Sequence, residues 1–302
     1  MTEPSGVLIV NKHTGVTSHD IVGKVRRLYN TRKVGHTGTL DPDASGVLVV
    51  LIGRAAKAAE FLVSDTKKYR ATLRLGLTTD TEDASGEVLT RCEKIPSSEE
   101  VFNACSRFVG GIKQIPPMYS ALKKDGQKLC DLARKGITVE REAREITVFS
   151  LGCSPTETPT DYILDVHCSS GTYIRTLCAD IGQALGCGGI MATLCRNEAG
   201  GFSIDNAHGI SELEEMSLDD RLRCLIPTES LFETLPKICL SEFFEKLCRS
   251  GCEIYQKKIG TSISVGSRVR ICDKSGKFFA LGEVREYENG TAVKSIKIFD
   301  LT

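Results

Sequence analysis

The sequence lacks any apolar run close to the ~20 residues that a membrane-spanning helix needs, although 41% of its 302 residues are hydrophobic. Its first residues, MTEPSGVLIVNK, also lack the basic segment and the long apolar segment of a secretory signal. These absences argue against a membrane or secreted protein and predict a cytoplasmic one. The length suits one large domain plus a small one, with enough core to fold without disulfides.

Paired metal-ligand and nucleotide motifs are absent as well. The chain has 13 cysteines, an odd number, and no C-x-x-C, which argues against a zinc site or a complete disulfide framework. Cys105, Cys168 and Cys178 fall at apolar positions, so we expect buried free thiols. Cys248 and Cys252, spaced i, i+4, leave a redox or metal pair as the less favoured alternative. No G-x-G-x-x-G follows a strand and no G-x-S-x-G occurs, so neither a dinucleotide site nor a hydrolase elbow is indicated.

Neither charge sign is in excess, because 39 Lys and Arg balance 39 Asp and Glu. The distribution is nevertheless uneven. Six basic residues face one acid between Gly6 and His36, nine face five between Arg107 and Glu145, and seven acids face two arginines between Glu212 and Glu233. A neutral protein with basic segments can present a basic face to nucleic acid, although solvated helix faces explain the same pattern.

One glycine-rich stretch, GHTGTLDPDASGVLVV from Gly35 to Val50, places a histidine and two carboxylates ahead of an apolar strand. A phosphate loop would need a lysine after its second glycine, and an acid there would repel the ligand. An EF-hand pattern begins correctly at Asp41 and Asp43, but its twelfth position is Ile52 instead of glutamate. Catalysis by a carboxylate and a purely structural turn therefore both remain open.

The hydrophobic periodicity predicts a mixture of strands and helices without regular βαβ alternation. Strands are predicted at 6–12, 45–53 and 69–75, and helices after Thr17, over 54–64, after Ser97 and after Gly171. This order favours an α+β fold on a largely antiparallel sheet. The stretch 115–146, which opens with two prolines and is basic, is predicted to protrude as a loop-helix-loop that could grip a ligand.

A change of composition around Pro227 to Pro236 divides the chain into two predicted domains. The main domain covers 1–235 and includes the basic insertion. Two predicted strands around a D-K-S-G turn follow, so residues 236–302 are predicted to form a small β domain.

Several segments, in the right order, closely resemble the bacterial TruB family of tRNA pseudouridine synthases. They are GHTGTLDPDASGVL, KKYRATLRLG, TDTEDASGEV, PPMYSALKKDGQKLCDLARKG, CSSGTYIRTLCADIG and the terminal β domain. The resemblance implies the pseudouridine synthase fold, a PUA-like C-terminal domain, tRNA as the partner, no cofactor or metal, no obligate protein partner and a monomer. It also implies isomerisation of the T-loop uridine at position 55, in which uracil leaves C1′ and is rejoined through C5.

The same resemblance implies catalytic roles for three residues. Asp41 would be the essential carboxylate, acting as nucleophile or as base at the sugar, while Asp43 would only form the turn. Arg175 would pair with Asp41 and lower the pKa of that carboxyl group. Tyr69 would stack on the target base and is the candidate acceptor of the C5 proton.

Substrate-binding roles are implied for further residues. Tyr173 and Leu194 would wall the base pocket, and His36 would fill the space that the flipped uridine leaves in the T-loop. Phosphate contacts are implied for basic residues near the N-terminus and for the insertion: Lys12, Lys24, Arg26, Arg27 and 115–146.

The chain departs from the family pattern at two positions. His13 stands where proline is common, and Cys195 interrupts the usual L-R-R, so one basic contact is expected to be missing. Two other functions stay open: an RNA-binding or tRNA-folding module with lost or secondary catalysis, and a nucleoside hydrolase. The hydrolase would need a second carboxylate about 5–9 Å from the first, and Asp43 is the nearest candidate in sequence.

Overall fold

The computed structural model describes residues 3–61 and 66–300. Within these residues the strands of the main domain are β1 (Gly6–Lys12), β2 (Val34–His36), β3 (Ser45–Ile52), β4 (Lys67–Leu75), β5 (Leu77–Thr79), β6 (Val88–Arg91), β7 (Gly110–Gln114), β8 (Lys123–Lys124), β9 (Gln127–Lys128), β10 (Arg144–Pro155), β11 (Asp161–Cys168), β12 (Gly189–Ala199), β13 (Phe202–Ser203) and β14 (His208–Gly209). Those nearer the C-terminus are β15 (Lys237–Cys239), β16 (Ile254–Tyr255), β17 (Arg268–Cys272), β18 (Phe278–Tyr287) and β19 (Gly290–Ile298).

Among the described residues the helices are fewer than the strands. The α-helices are α1 (Ser18–Leu28), α2 (Ser98–Ser106), α3 (Leu129–Ala133), α4 (Ile174–Ala184), α5 (Ile210–Glu215), α6 (Leu218–Arg223), α7 (Glu242–Arg249) and α8 (Gln256–Ile259). The 3-10 helices span Gly53–Phe61, Ile204–Asn206 and Thr228–Phe232.

A ten-stranded sheet forms the centre of the main domain. Its strands run in the order β14-β1-β3-β12-β4-β11-β10-β7, with β13 paired to β12 and β2 paired to β3. Among the described strands of this sheet, only the β1–β14 and β3–β12 pairs are parallel. The predicted α+β fold on a mixed, largely antiparallel sheet is therefore confirmed.

Strand β4 shows why the sheet has one face turned to the core. Tyr69, Ala71 and Leu73 are buried, whereas Arg70 and Arg74 point to the other face, as the two-residue period of a strand requires. On the outer face Arg70 pairs with Asp165 of β11, the strand next to β4. The inner face packs under α2 and α4 in one large hydrophobic cluster.

Two predicted helix starts are confirmed by their caps. Thr17 caps α1 through a capping box with Asp20, and Ser97 caps α2 in the same way with Glu100. Each side chain satisfies a backbone N–H that has no partner inside its helix. Local sequence alone carries this signal, because the partners lie only three residues apart.

The predicted helix over 54–64 differs from the structure. The chain forms a 3-10 helix at Gly53–Phe61, and the last three predicted positions lie outside the described residues. Its fully buried alanines, Ala55 and Ala58, are three residues apart. Positions i and i+3 align on one face in a 3-10 helix, so this geometry turns both alanines to the core.

A C-terminal β-rich domain is also confirmed. A five-stranded sheet with the order β15-β17-β18-β19-β16 forms its framework. It packs against the main sheet through three aromatic rings, Phe232, Phe278 and Phe299, whose centroids are 5.4 to 5.9 Å apart. The boundary at 235/236 stays a prediction.

The basic insertion is only partly the predicted loop-helix-loop. It contains a short hairpin of β8 and β9 before α3, and its lysines are exposed. Its base is buried, at Pro116, Pro117, Ser120 and Leu129. The insertion is therefore anchored in the main domain and open to solvent beyond it.

The cysteines form no disulfide. All 13 are free, and Cys105, Cys168 and Cys178 are buried as predicted. Cys248 is buried while Cys252 is exposed. Helices in the described ranges 3–61 and 66–300 are all too short or too polar to cross a bilayer.

Candidate active site

The loop between β2 and β3 carries Asp41 and is tied to the start of α1. The Ser18 hydroxyl accepts a hydrogen bond from the Leu40 N–H at 2.9 Å and lies 3.0 Å from the Leu40 carbonyl oxygen, to which it donates. After Asp41 the chain turns back, and the Ala44 N–H donates to the Asp41 carbonyl at 3.1 Å. The backbone of Asp41 is thus fixed on both sides.

Lys12 stabilises the same loop through hydrogen bonds from its ammonium group. Its side chain is 0% exposed, and its Nζ donates to the carbonyl oxygens of His13, Val16 and Pro42 at 2.9, 2.8 and 3.0 Å. Burial lowers the pKa of Lys12, against the effect of Asp43. The predicted phosphate contact of Lys12 is therefore corrected: the ammonium group uses its donors inside the protein and supports the loop.

Arg196 is a third support, and sequence reasoning did not identify it. The guanidinium group is almost fully buried and donates to the carbonyl oxygens of Val47, Gly38 and Thr39 at 2.8, 3.0 and 3.4 Å. One arginine thus joins β12, β3 and the glycine-rich loop. The only sequence signal was its place in the L-C-R tripeptide.

Cys195 does not replace a residue of this site. On β12 it pairs with Arg70, whereas Leu194 and Arg196 pair with Ala71 and Tyr69 without a bulge between them. Successive strand residues point to opposite faces. The Cys195 side chain therefore lies on the outer face of the sheet, away from Leu194 and Arg196.

The approach of β3 to β12 requires glycine at position 46. Gly46 has φ of +102°, and a Cβ there would lie 2.2 Å from the Arg196 carbonyl oxygen. We predict that Gly46→Ala lowers the free energy of unfolding by at least about 2 kcal/mol, measured by urea titration. Gly35→Ala is the matched control, since no atom lies within 4 Å of the position that its added methyl group would take. Equal stability of the two variants would contradict this role.

Two nitrogens of the Arg175 guanidinium group contact the two oxygens of the Asp41 carboxylate. Its Nε lies 3.0 Å from Asp41 Oδ2, and its Nη2 donates to Asp41 Oδ1 at 3.3 Å. The remaining donors reach the Tyr119 carbonyl at 2.7 Å and the Thr81 carbonyl at 3.3 Å. The Arg175 side chain is 6% exposed and that of Asp41 is 38% exposed. The carboxylate is thus oriented from one side and open on the other.

Asp83 is a second acid on the same guanidinium group. Its Oδ2 lies 3.6 Å from Arg175 Nη1, and its Oδ1 accepts from the Thr81 hydroxyl, the Ser85 N–H and the Ser85 hydroxyl at 2.6, 3.0 and 2.6 Å. The stretch TDTEDASGEV by itself predicts only a turn, because its link to Arg175 is a tertiary contact.

Burial raises the pKa of Asp41, while Arg175 lowers it and Asp83 raises it again. The predicted effect of Arg175 is present, but burial outweighs it. The net shift is therefore upward, which corrects the expected lowering. A carboxylate with a raised pKa is a better base and nucleophile than an ordinary aspartate once it is ionised.

Apolar residues on both sides of Asp41 form the wall of the site. Leu40 and Ala44 belong to the same buried hydrophobic cluster as Tyr69 and Leu194. Two of the predicted site residues, Tyr69 and Leu194, therefore share one cluster with the neighbours of Asp41. Burial raises the pKa of Tyr69, which is 8% exposed. A neutral phenol suits stacking on a base better than accepting a proton.

Tyr173 stands at the N-terminus of α4, two residues before Arg175. The buried Gln114 side chain fixes its backbone: Oε1 accepts from the Tyr173 N–H at 2.8 Å, and Nε2 donates to the Tyr173 carbonyl at 3.0 Å. Gln114 was not among the predicted site residues. The Tyr173 side chain itself is half-buried.

His36 ends β2, at the start of the glycine-rich loop. Its ring is half-buried, and Nδ1 is buried without a hydrogen-bond partner. Burial lowers the pKa of His36, and the charge of Arg196 adds to this effect. A neutral imidazole can stack on bases. The role of His36 in filling the space that the flipped uridine leaves in the T-loop stays a prediction.

Among residues 3–61 and 66–300, no group of three or more His, Cys, Asp or Glu side chains could hold a metal ion.

Comparison with known families supports the class that this fold and site define. Residues 26–174 match the family model described as TruB family pseudouridylate synthase (N terminal domain), and residues 175–233 match the one described as tRNA pseudouridylate synthase B C-terminal domain. Together the two matches cover residues 26–233 and assign the fold to the pseudouridylate synthases.

Two relatives narrow the assignment from the class of pseudouridylate synthases to one family. A protein of Alkaliphilus oremlandii named tRNA pseudouridine synthase B is 42% identical over 298 residues, covering 98% of both chains. A protein of the same name from Clostridium perfringens is 42% identical over 281 residues, covering 92% of this chain and 95% of its own. The chain belongs to the TruB family.

A solved structure has the same fold. The chain aligns with the one described as a Cbf5-Nop10-Gar1 complex with a TM-score of 0.74 and 26% identity, covering 98% of this chain and 85% of that chain. The predicted pseudouridine synthase fold is therefore confirmed.

Proposed function

We propose that the protein isomerises one uridine of tRNA, position 55 of the T-loop, to pseudouridine, with Asp41 as the essential carboxylate. One observation carries this proposal: the Asp41 carboxylate is held by two nitrogens of Arg175 and still keeps 38% of its side chain exposed. The relatives named tRNA pseudouridine synthase B support the substrate class. We further propose that the protein is a monomer and that it acts in the cytoplasm.

The chemistry fits a single oriented carboxylate. Breaking the glycosidic bond builds positive charge at the sugar, which a nearby carboxylate can stabilise or trap as a covalent intermediate. Uracil remains in the site and is rejoined through C5, so no second acid is needed to expel it. Asp41 acts in this scheme as nucleophile or as base at the sugar.

Access to the uridine requires that the base leaves its stack in the T-loop. Unstacking costs a few kcal/mol, which new stacking in the protein offsets. Tyr69 and Tyr173 supply the rings for this stacking, and His36 would occupy the space left in the RNA. The exposed lysines of the insertion supply charge for phosphate contacts.

The test is tritium release from a tRNA transcript labelled at C5 of uridine. We expect about one tritium per tRNA from the complete transcript, since one C5–H bond is broken per isomerisation. A transcript with cytidine at position 55 should release none. Equal release from both transcripts would reject the position, release of free uracil would indicate a hydrolase, and no release with RNA bound would indicate a binding module.

A further inference from the structure

Glu82 has an unusual backbone conformation for its residue type. Among the described residues, three other than glycine have a positive φ: Asn30 at 47°, Glu82 at 65° and Asp125 at 50°. Asparagine and aspartate, with their short polar side chains, reach this left-handed region fairly readily, whereas glutamate rarely adopts it. Strained backbone of this kind persists only where the surrounding structure fixes it, and it is concentrated at functional sites. Glu82 is therefore a candidate for a role in the adjacent active site.

The backbone of Glu82 is tied to β12. Its N–H donates to the Thr79 carbonyl at 3.4 Å, which closes the turn, and its carbonyl accepts from the Met191 N–H at 3.0 Å. The Ala84 N–H then donates to the Met191 carbonyl at 3.1 Å. These bonds use only backbone atoms, so a glycine at position 82 would form them without the strain of a positive φ. The turn itself does not need a glutamate.

The Glu82 side chain joins the same turn to α4. Its Oε2 accepts from the Thr176 hydroxyl at 2.6 Å, and Thr176 is 4% exposed and follows Arg175 in the helix. The residues on either side of Glu82 contact Arg175: the Thr81 carbonyl accepts from its Nη1 at 3.3 Å, and Asp83 Oδ2 lies 3.6 Å from the same nitrogen. Three consecutive residues of the turn thus contact two consecutive residues of α4.

The contact of Glu82 is the shortest of these three. A hydroxyl that donates to a carboxylate at this distance forms a charge-assisted hydrogen bond, which is stronger than a neutral one. The two contacts of Arg175 with the turn are longer than a hydrogen bond of ideal length. Loss of the Glu82 bond would leave the turn attached to β12 alone, and both contacts of Arg175 with it would be free to lengthen.

We propose that Glu82 is a positioning residue: through the hydrogen bond from Thr176, its carboxylate holds residues 81 and 83 against Arg175, whose guanidinium group in turn orients Asp41. Glu82 acts in this scheme only through Arg175. The left-handed backbone at position 82 is then the cost of aiming a side chain at α4 from a tight turn. This inference rests on the proposed function, because its effect is measured as the rate of uridine isomerisation.

Three variants test the link between the turn and α4: Glu82→Gly, Thr176→Val and the double variant. The measurements are the single-turnover rate of tritium release and the Kd for the same transcript. We expect each single variant to lower the rate about 10-fold, the effect of one hydrogen bond to a charged group. The double variant should lose no more than either single one, since both remove the same bond. The Kd should change by less than about twofold, because phosphate contacts dominate affinity.

Two further variants separate positioning from a general structural role. Glu82→Gln should keep the rate within about threefold of the wild type, because its amide oxygen can still accept from the Thr176 hydroxyl. In the Arg175→Ala background, Glu82→Gly should cause no further loss of rate, since the group through which Glu82 acts is gone.

Asn30→Gly is the matched control, because it places glycine at another left-handed residue, one that is exposed. It should keep the wild-type rate. A wild-type rate in Glu82→Gly overturns the inference, and so does a full 10-fold loss from Glu82→Gly in the Arg175→Ala background. If Thr176→Val melts early, Glu82→Gly carries the prediction alone, since glycine suits the backbone at this position. An inactive wild type rejects the proposed function itself.

Discussion

Replacing Asp41 by asparagine is expected to lower tritium release by more than about 10⁴-fold, the scale seen when a nucleophile is removed. Asparagine keeps the size of the side chain but removes the negative charge that the sugar carbon needs. RNA affinity should stay within a few-fold of the wild type, because it depends mainly on phosphate contacts. Single-turnover rates and filter binding on one labelled transcript measure both quantities.

Asp43→Asn is the matched control for this experiment. It makes the same chemical change two residues away, at an exposed position on the same turn. We expect it to keep a rate within about threefold of the wild type, as for a surface substitution. Comparable losses in the two variants would assign the effect to the turn. A loss of affinity as large as the loss of rate would contradict the separation of binding from catalysis.

The parts of the site that local patterns describe could be predicted from sequence. The α1 and α2 caps, the alternation of β4 and the glycine-rich loop each depend on residues a few positions apart. Asp41 and Arg175 are 134 residues apart in the chain, and only the resemblance of their motifs to one family connected them. Periodicity alone would have left Arg175 as an ordinary residue at a helix start.

The supports of the loop could not be predicted, for a physical reason. Lys12 and Arg196 donate mainly to backbone carbonyls, and every residue has a carbonyl, so the sequence does not show which ones will converge. In the sequence, a lysine followed by further basic residues indicates phosphate binding. For Lys12 this indication is wrong, because its side chain is buried. The direction of the Asp41 pKa shift was wrong for a similar reason: the sequence shows the countercharge but not the burial.

Arg175→Ala is expected to lower the single-turnover rate by at least about 100-fold, the cost of misplacing a reacting group by around an ångström. The variant loses both contacts that orient the Asp41 carboxylate and leaves Asp83 facing it. Arg175→Lys keeps the charge but not the two-nitrogen grip, so its rate should also fall. Melting temperatures of both variants check that the buried position still folds.

The pH dependence separates the two roles of Arg175. Because burial raises the pKa of Asp41, the wild-type rate should fall in acid at a higher pH than for an ordinary aspartate, if the ionised form reacts. In Arg175→Ala the opposing charge is gone while burial and Asp83 remain, so the pKa rises further and the acid limb moves to higher pH. Arg175→Lys should keep the limb near the wild-type position. An acid limb that stays in place in Arg175→Ala would mean that the guanidinium group orients the carboxylate without setting its charge state.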